Sequence, residues 1–269
     1  MSSFLDAKIP PDLIRASLKR ALLLSAFFIL FSTNSLLACQ SGKLSEPVSV
    51  KFVYDGDTLY LKDQRKIRII GMDTPEMGRH GKVQEPYAAE ATEALRELLY
   101  QHHNQIRLQI GKDAYDRYGR QLAYVFLPDG TNVSEWMLLR GFATTLFIPP
   151  NLKYLDCYVK AERKAQNRQI NIWTQNKFHL HVADLLDKKY TGYARLVAKV
   201  DSVKRNKRSI IINLRGGIRV KINQSNLHYF KSIHFDNLEG KRISVTGLIR
   251  KHGKSRTIYV KHPVYFHVM

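Results

Sequence analysis

Apolar positions keep two different rhythms along the chain. Between Ser49 and Leu127 they come mostly in short β-branched and aromatic runs, "SVKFVYDGDTLYL", "KIRIIGM", "QIRLQIG" and "RQLAYVFL". Each is of strand length and bounded by turn residues, and Asp55-Gly56 inside the first is a hairpin signal. A helical rhythm breaks in at "AAEATEALRELLYQ", where Ala91, Leu95, Leu98 and Leu99 share one face. "NVSEWMLLRGFA" predicts a short helix stopping at Gly141, and "LKYLDCYVKAERKAQ" a longer one with Leu155, Tyr158, Val159 and Ala165 inward. After Gly192 the helical rhythm fades. "RLVAKVDSV", "RSIIINL", "GIRVKI", "RISVTGLI" and "TIYVKH" predict five strands, with Ile218, Val220 and Ile222 alternating with Arg219 and Lys221. "SNLHYFKSIHFDNL" falls between the third and fourth as a helical insert, the layout of a small OB-type barrel.

The pattern therefore divides the 269 residues into a strand-then-helix domain over 49–173, a linker over 174–191 with a short helix around "VADLLDKK", and an OB-like domain over 192–269. Charge sharpens this division. The formal net charge is +20, and from Gly192 onward 17 Lys or Arg face 3 Asp or Glu, so +14 of the total sits in the last domain. Such an excess points to an anionic partner. Two basic runs, "KRNKR" (Lys204, Arg205, Lys207, Arg208) and "RKHGKSR" (Arg250, Lys251, Lys254, Arg256), fall in strand connections that OB folds use for nucleic acid. Two solvated hairpin tips would carry the same residues.

The first 39 residues belong to neither domain. Lys8, Arg15, Lys19 and Arg20 precede "ALLLSAFFILF", a charged region followed by a short apolar one, which reads as an export signal. Ser32, Thr33, Asn34 and Ser35 interrupt the run before it reaches the roughly 20 apolar residues of a spanning helix. It ends in "LLAC", which resembles a bacterial lipobox with Cys39 as the lipidated residue; plain signal cleavage is the competing expectation. A periplasmic, secreted or lipid-anchored protein follows. Only one other cysteine exists, Cys157, so with Cys39 lipidated or removed it has no intramolecular partner and reads as a small packed residue.

The chemistry concentrates in three short motifs. "DGDT" puts Asp57 just past a turn, at a strand start. "DTPE" has a helix-start reading, with Asp73 or Thr74 as cap, Pro75 in the first position and Glu76 in the first turn. "DRYGR" reads by itself as a turn with solvated arginines. Together they make a different set. Asp57 and Asp73 offer hard oxygens to a Ca²⁺-like ion. Glu76 can orient or deprotonate a water beside it, and Arg68 and Arg120 suit a phosphate whose charge grows in the transition state.

"YDGDTLYL", "IRIIGMDTPE", "DRYGRQLAYVFLPDG" and "QINIW" closely resemble the staphylococcal nuclease (thermonuclease) family, in the same order over about Val50 to Trp173. The resemblance implies a five-stranded OB-type barrel with three helices, and Ca²⁺-dependent endonuclease cleavage of DNA and RNA at the P–O5′ bond, leaving 3′-phosphates. It implies Asp57, Asp73 and the Thr74 carbonyl as calcium ligands, and Glu76 as the catalytic glutamate. Arg68 and Arg120 fall on the phosphate-binding arginines, and Arg117 and Tyr118 on the pair that contacts the terminal phosphate. Lys82 falls on a loop lysine near substrate. Phe147 keeps one ring of the nucleotide-stacking segment, whose second ring is replaced by Pro149.

Three function classes compete: an exported Ca²⁺-dependent nuclease, a non-catalytic nucleic-acid-binding protein, and an envelope protein whose basic domain holds lipid or polysaccharide. Binding a polyanion uses the arginines but is weakened by Asp57, Asp73 and Glu76 unless a metal lies between. The acids therefore favour the nuclease. No obligate protein partner is implied.

Overall fold

The structure is a computed structural model that describes Cys39, residues 42–78, Gly81, residues 83–253 and residues 255–269. The segment read as an export signal lies outside the described residues, as do Lys82 and Lys254.

The first barrel starts with β1 (Val48–Asp55), which turns at Gly56 into β2 (Thr58–Leu61), followed by β3 (Lys66–Ile69) and the short β4 (Gly71–Asp73). Helix α1 (Ala88–Tyr100) leads to β5 (Gln105–Tyr115) and β6 (Gln121–Phe126). The strands close in the order β1-β2-β3-β6-β5. Alternation buries Leu59, Leu61, Ile67, Ile69, Leu108 and Val125 inside. Because β3 and β6 run parallel with Ile67 opposite Gln121, the "DRYGR" turn arrives beside Arg68. β5 runs on to Tyr115 and so takes in half of the stretch expected as its connection to β6.

Helix α2 (Val133–Leu139) is capped by Asn132, whose side-chain oxygen accepts the Glu135 N–H at 3.1 Å and the Tyr158 hydroxyl at 3.0 Å. It ends at Gly141, whose φ of +68° suits glycine. Next come β7 (Thr144–Leu146) and α3 (Leu155–Arg168). β4 pairs with β7, Asp73 opposite Thr144, and Gly71 of β4 leaves no room for a Cβ against the Tyr158 ring of α3. The barrel with three helices is the architecture the resemblance implies.

The stretch 174–191 is packed against its neighbours. It forms two 3₁₀ turns (Asn176–Phe178 and Ala183–Leu185) around β8 (Leu180–Val182), with Phe178 and Ala183 buried. β8 pairs parallel with β9 (Gly192–Arg205), which starts the second barrel. β10 (Ser209–Leu214), β11 (Ile218–Asn223), β12 (Arg242–His252) and β13 (Ser255–Tyr259) follow, and β12 pairs back onto β9 to close a five-stranded ring. β14 (Phe266–Val268) adds beside β12. The expected helical insert is two 3₁₀ turns, Gln224–Tyr229 and Phe235–Asn237, which seat Phe230 and Phe235 in the core. Two apolar anchors so close together need no full helix.

Cys39 and Cys157 form a disulfide, with Cα atoms 5.8 Å apart and a sequence separation of 118. This corrects the expectation of an unpartnered Cys157. It also removes the lipid on Cys39, because a thioether would need the same sulfur. The Cys39 backbone N–H donates to Glu135 Oε2 at 2.9 Å, fixing the entry of the chain onto α2.

Candidate active site

Asp57 sits at the end of the β1–β2 turn, buried, with Oδ1 accepting the Thr58 hydroxyl at 3.0 Å. Its Oδ2 faces the Thr74 N–H at 3.3 Å and hydroxyl at 3.4 Å. That approach depends on Gly56, where a Cβ would lie 2.6 Å from the Thr74 hydroxyl oxygen. The turn glycine of "DGDT" thus serves contact with "DTPE" as well as the turn itself.

Arg68 comes off β3 into the same place. Its Nη2 lies 3.1 Å from Asp57 Oδ2 and 2.7 Å from Asp73 Oδ1, while Nη1 donates to the carbonyls of Ile69 and Met72, both at 2.9 Å. Burial by itself would lower its affinity for a proton, but Asp57, Asp73, Asp55 and Glu76 surround it and raise it. The guanidinium is therefore charged, with both terminal nitrogens engaged. The two-pronged phosphate grip expected of Arg68 is spent here on protein oxygens.

Negative charge exceeds what one arginine neutralises. Asp73 is raised to about 6, chiefly by burial, with Asp57, Glu76 and Glu85 adding to it against Arg68. Asp55 is also raised to about 6, by burial and then by Asp57. Asp55 and Asp73, held above the usual carboxylate range beside Asp57, make a recess whose excess charge and all-oxygen donors suit a cation. Asp57, Asp73 and the Thr74 carbonyl suit a hard divalent ion such as Ca²⁺, which tolerates water in its remaining positions. Among the described residues, one group of three possible ligand atoms lies within 4.8 Å of each other, Cys39, Glu135 and Cys157, and its sulfurs are spent in the disulfide.

Glu76 lies on the exposed rim, its backbone N–H donating to Glu85 Oε2 at 3.2 Å. Arg120 stands opposite Thr58: Nε donates to Asp116 Oδ2 at 2.7 Å and Nη1 to the Thr58 hydroxyl at 3.2 Å, which leaves Nη2 for a ligand. Asp116 also accepts the N–H groups of Tyr118 and Arg120 at 2.9 and 3.0 Å, so one carboxylate shapes the whole turn. Arg117 lies outside it, hydrogen-bonded to the Tyr118 hydroxyl, with its guanidinium 4.7 Å from the centre of that exposed ring.

Phe147 is a correction. It is 2% exposed, its ring 6.2 Å from those of both Tyr158 and Tyr265, so it has no face to offer a base. Tyr265, from the second barrel, occupies that side: its hydroxyl accepts the Phe147 N–H at 2.8 Å and donates to the Thr145 carbonyl at 3.1 Å. Three residues of the site went unread in the sequence. Asp116 was open to inference as an acid leading a Gly-containing turn. Asp55 was legible only as a turn former. Glu85 arrives from before α1 with no local signal.

The chain matches the family model described as staphylococcal nuclease homologue over residues 66–175. The thermonuclease of Staphylococcus intermedius is 38% identical over 132 residues, covering 48% of this chain and 76% of that protein. The thermonuclease of Staphylococcus hyicus is 38% identical over 125 residues, covering 45% and 72%. Endonuclease YncB of Bacillus subtilis strain 168 is 32% identical over 135 residues, covering 49% and 63%.

Proposed function

The chain belongs to the staphylococcal nuclease family, and from that membership we propose an exported, Ca²⁺-dependent nuclease that hydrolyses DNA and RNA at the P–O5′ bond to leave 3′-phosphates. The observation that carries the reading is the single Nη2 of Arg68 shared by Asp57 and Asp73, with Glu76 close enough for its charge to act on Arg68 and Asp73. A module that only binds a polyanion gains nothing from three acids around its buried arginine.

In this reading Asp57, Asp73 and the Thr74 carbonyl hold Ca²⁺, which when bound supplies positive charge against the phosphate oxygens. With both carboxylates turned to a cation, Arg68 Nη2 is free to donate to the phosphate. Arg120, aimed by Asp116 and Thr58, donates through Nη2 from the other side, so two fixed guanidiniums meet the charge that develops as the bond breaks. Glu76 orients or deprotonates the attacking water. Arg117 and Tyr118 hold the flanking phosphate.

Export is supported by the Cys39–Cys157 disulfide, since such bonds persist in oxidising compartments. A leader that is removed must then end before Cys39. The product is periplasmic or secreted. The test is digestion of plasmid DNA and of RNA by the mature chain, first with Ca²⁺ and then in excess chelator. Cleavage undiminished by the chelator would sink the metal assignment.

A further inference from the structure

The function proposed above leaves unexplained why most of the net charge sits outside the nuclease barrel. The two basic hairpins do not meet. The β9–β10 turn lies at the level of Asn223, since Ser209 pairs with it, whereas the β12–β13 turn lies beyond Ile218, which pairs with Arg256. They are at opposite ends of the barrel. Arg256, expected among the binding residues, is buried, its guanidinium spent on the carbonyls of Asp187 and Gly216.

What lies between the hairpins is more informative. Ile210, Ile212, Val220, Ile222 and Ile258 point into the core, so their neighbours form the outer face of the sheet. Register sets these in two adjacent rows. One runs Lys204, Ile211, Lys221, Tyr259 across β9, β10, β11 and β13. The other runs Ser202, Asn213, Arg219, Thr257, Arg250 from β9 to β12. At about 4.8 Å per strand spacing the second row is roughly 19 Å long. Lys221 Nζ lies 5.6 Å from the centre of the Tyr259 ring. Asn213 donates to Ser202 at 2.9 Å, and a cleft of about 290 Å³ opens between Asp201, Asn213, Arg219 and Ser255. Among the described residues Arg219, Lys221, Arg250 and Lys261 form no ion pair. A row of unpaired cations beside a partly exposed aromatic ring and side-chain amides is the surface a single strand uses, phosphates on charges and a base on the ring.

We propose that this outer face of β10, β11, β13 and β12 is a second nucleic-acid subsite, continuous with the active site through Arg117 and Lys261, so that one strand is held by both barrels at once. The proposal rests on the nuclease reading. The junction is set by the fold: Tyr265, four residues after Lys261, is hydrogen-bonded to β7, the partner of the strand that carries Asp73. Partial burial, then the Arg250 and Arg117 charges, one from each barrel, hold the Lys261 ammonium below the usual lysine range. Charges from both barrels thus act on Lys261, and a polyanion running from one barrel to the other is attracted by them together. The enzyme therefore prefers long single strands to short ones.

The test uses the mature chain carrying Glu76→Gln, with Ca²⁺, and fluorescence anisotropy on single-stranded oligodeoxynucleotides of about 4 and about 16 nucleotides, the range of site sizes of an OB barrel. The longer strand should bind at least about tenfold tighter. Arg219→Ala, Lys221→Ala, Arg250→Ala and Lys261→Ala together should remove that gain and lower the slope of log K against log salt by about 2–3, at about 0.7 per phosphate. Replacing as many exposed charges on α3, Lys160, Arg163, Lys164 and Arg168, controls for bulk charge and should leave the gain within about twofold. Equal losses in the two variants, or no tightening with length, overturn the subsite while leaving the nuclease reading to its own digestion assay. Tighter binding to phosphatidylglycerol vesicles than to the longer strand, abolished by the same four substitutions, would assign the face to a lipid surface and overturn it too.

Discussion

Glu76 and Arg120 depend on their surroundings in opposite ways. Glu76 stands on the rim with its side chain toward solvent, so Glu76→Gln changes charge with little else disturbed. Turnover should fall by about 10²–10⁴-fold, the usual worth of a general base, while the Ca²⁺ dissociation constant changes little. A variant that cuts within about threefold of the parent, under 1 kcal/mol, removes Glu76 from the mechanism. Arg120 spends Nε and Nη1 on Asp116 and Thr58. A lysine there reproduces neither the aim nor the spare Nη2, so Arg120→Lys should act mainly on kcat. Arg117 is exposed, hydrogen-bonded to the Tyr118 hydroxyl and set over its ring at the edge of the site, so Arg117→Lys should act mainly on KM. Steady-state kinetics on one oligonucleotide separates the two, and matching changes at both positions would contradict the division of labour. Phe147 teaches the limit of reading by position: its aromatic ring was legible, but its cover, Tyr265, is 118 residues away.

At the scale of elements, the site is held by β4, and β4 is held from both sides. Gly71 packs on Tyr158 of α3, and β7 pairs with β4 while taking hydrogen bonds from the second barrel through Tyr265. Tyr265→Phe leaves the Phe147 N–H without its acceptor in a buried setting, which should lower stability by about 1–3 kcal/mol. Urea unfolding would show it as a lower midpoint at unchanged m, and a midpoint identical to the parent's would make the contact between barrels incidental. The disulfide acts on the other end of the same assembly. It closes a loop of 118 residues onto α3, so reduction, or Cys39→Ser with Cys157→Ser, should cost about 2–4 kcal/mol. A melting temperature insensitive to reductant would mean the two sulfurs are not joined in solution.

The molecule as a whole is basic, yet its most perturbed acids are crowded into one recess, and that crowding has a stability consequence. Asp55 and Asp73 rise from 3.8 to about 6 on folding. Between those values the native state binds more protons than the unfolded one, so stability falls as pH rises through the window. Asp63, Asp116 and Asp129, all lowered, act below it and in the opposite direction; His262, lowered chiefly by burial, opposes the trend within the compared range, and Glu162, raised chiefly by burial, adds to it. In chelator the protein should therefore melt higher near about pH 5 than near about pH 7, by less than the two shifts alone imply, because the Asp73 side chain is half exposed and screened by solvent. Saturating Ca²⁺ at the higher pH should abolish the difference. Scanning calorimetry in both conditions decides, and a chelated protein more stable at the higher pH would deny the recess its excess charge.

The sequence by itself determined what depends on near neighbours. Strand and helix periods, the turn at Gly56, the stop at Gly141 and the order of "DGDT", "DTPE" and "DRYGR" are all local; they were enough for the elements of both domains and for the second barrel, while closure of the first barrel and the expected roles from Asp57 to Arg120 came from the family resemblance those motifs carry. The physical reason is that period and turn chemistry act over a few residues, and they carry over unchanged into the folded chain. Contacts between distant residues could not be read the same way. Only the tertiary structure joined Cys39 to Cys157, spent the Arg68 fork on two carboxylates and two carbonyls, buried Phe147 under Tyr265, and turned Arg256 inward. It also set the two basic loops at opposite ends of the second barrel. Each outcome turns on which surface a side chain meets after closure of a barrel, and that is settled by register and packing between strands far apart in the chain.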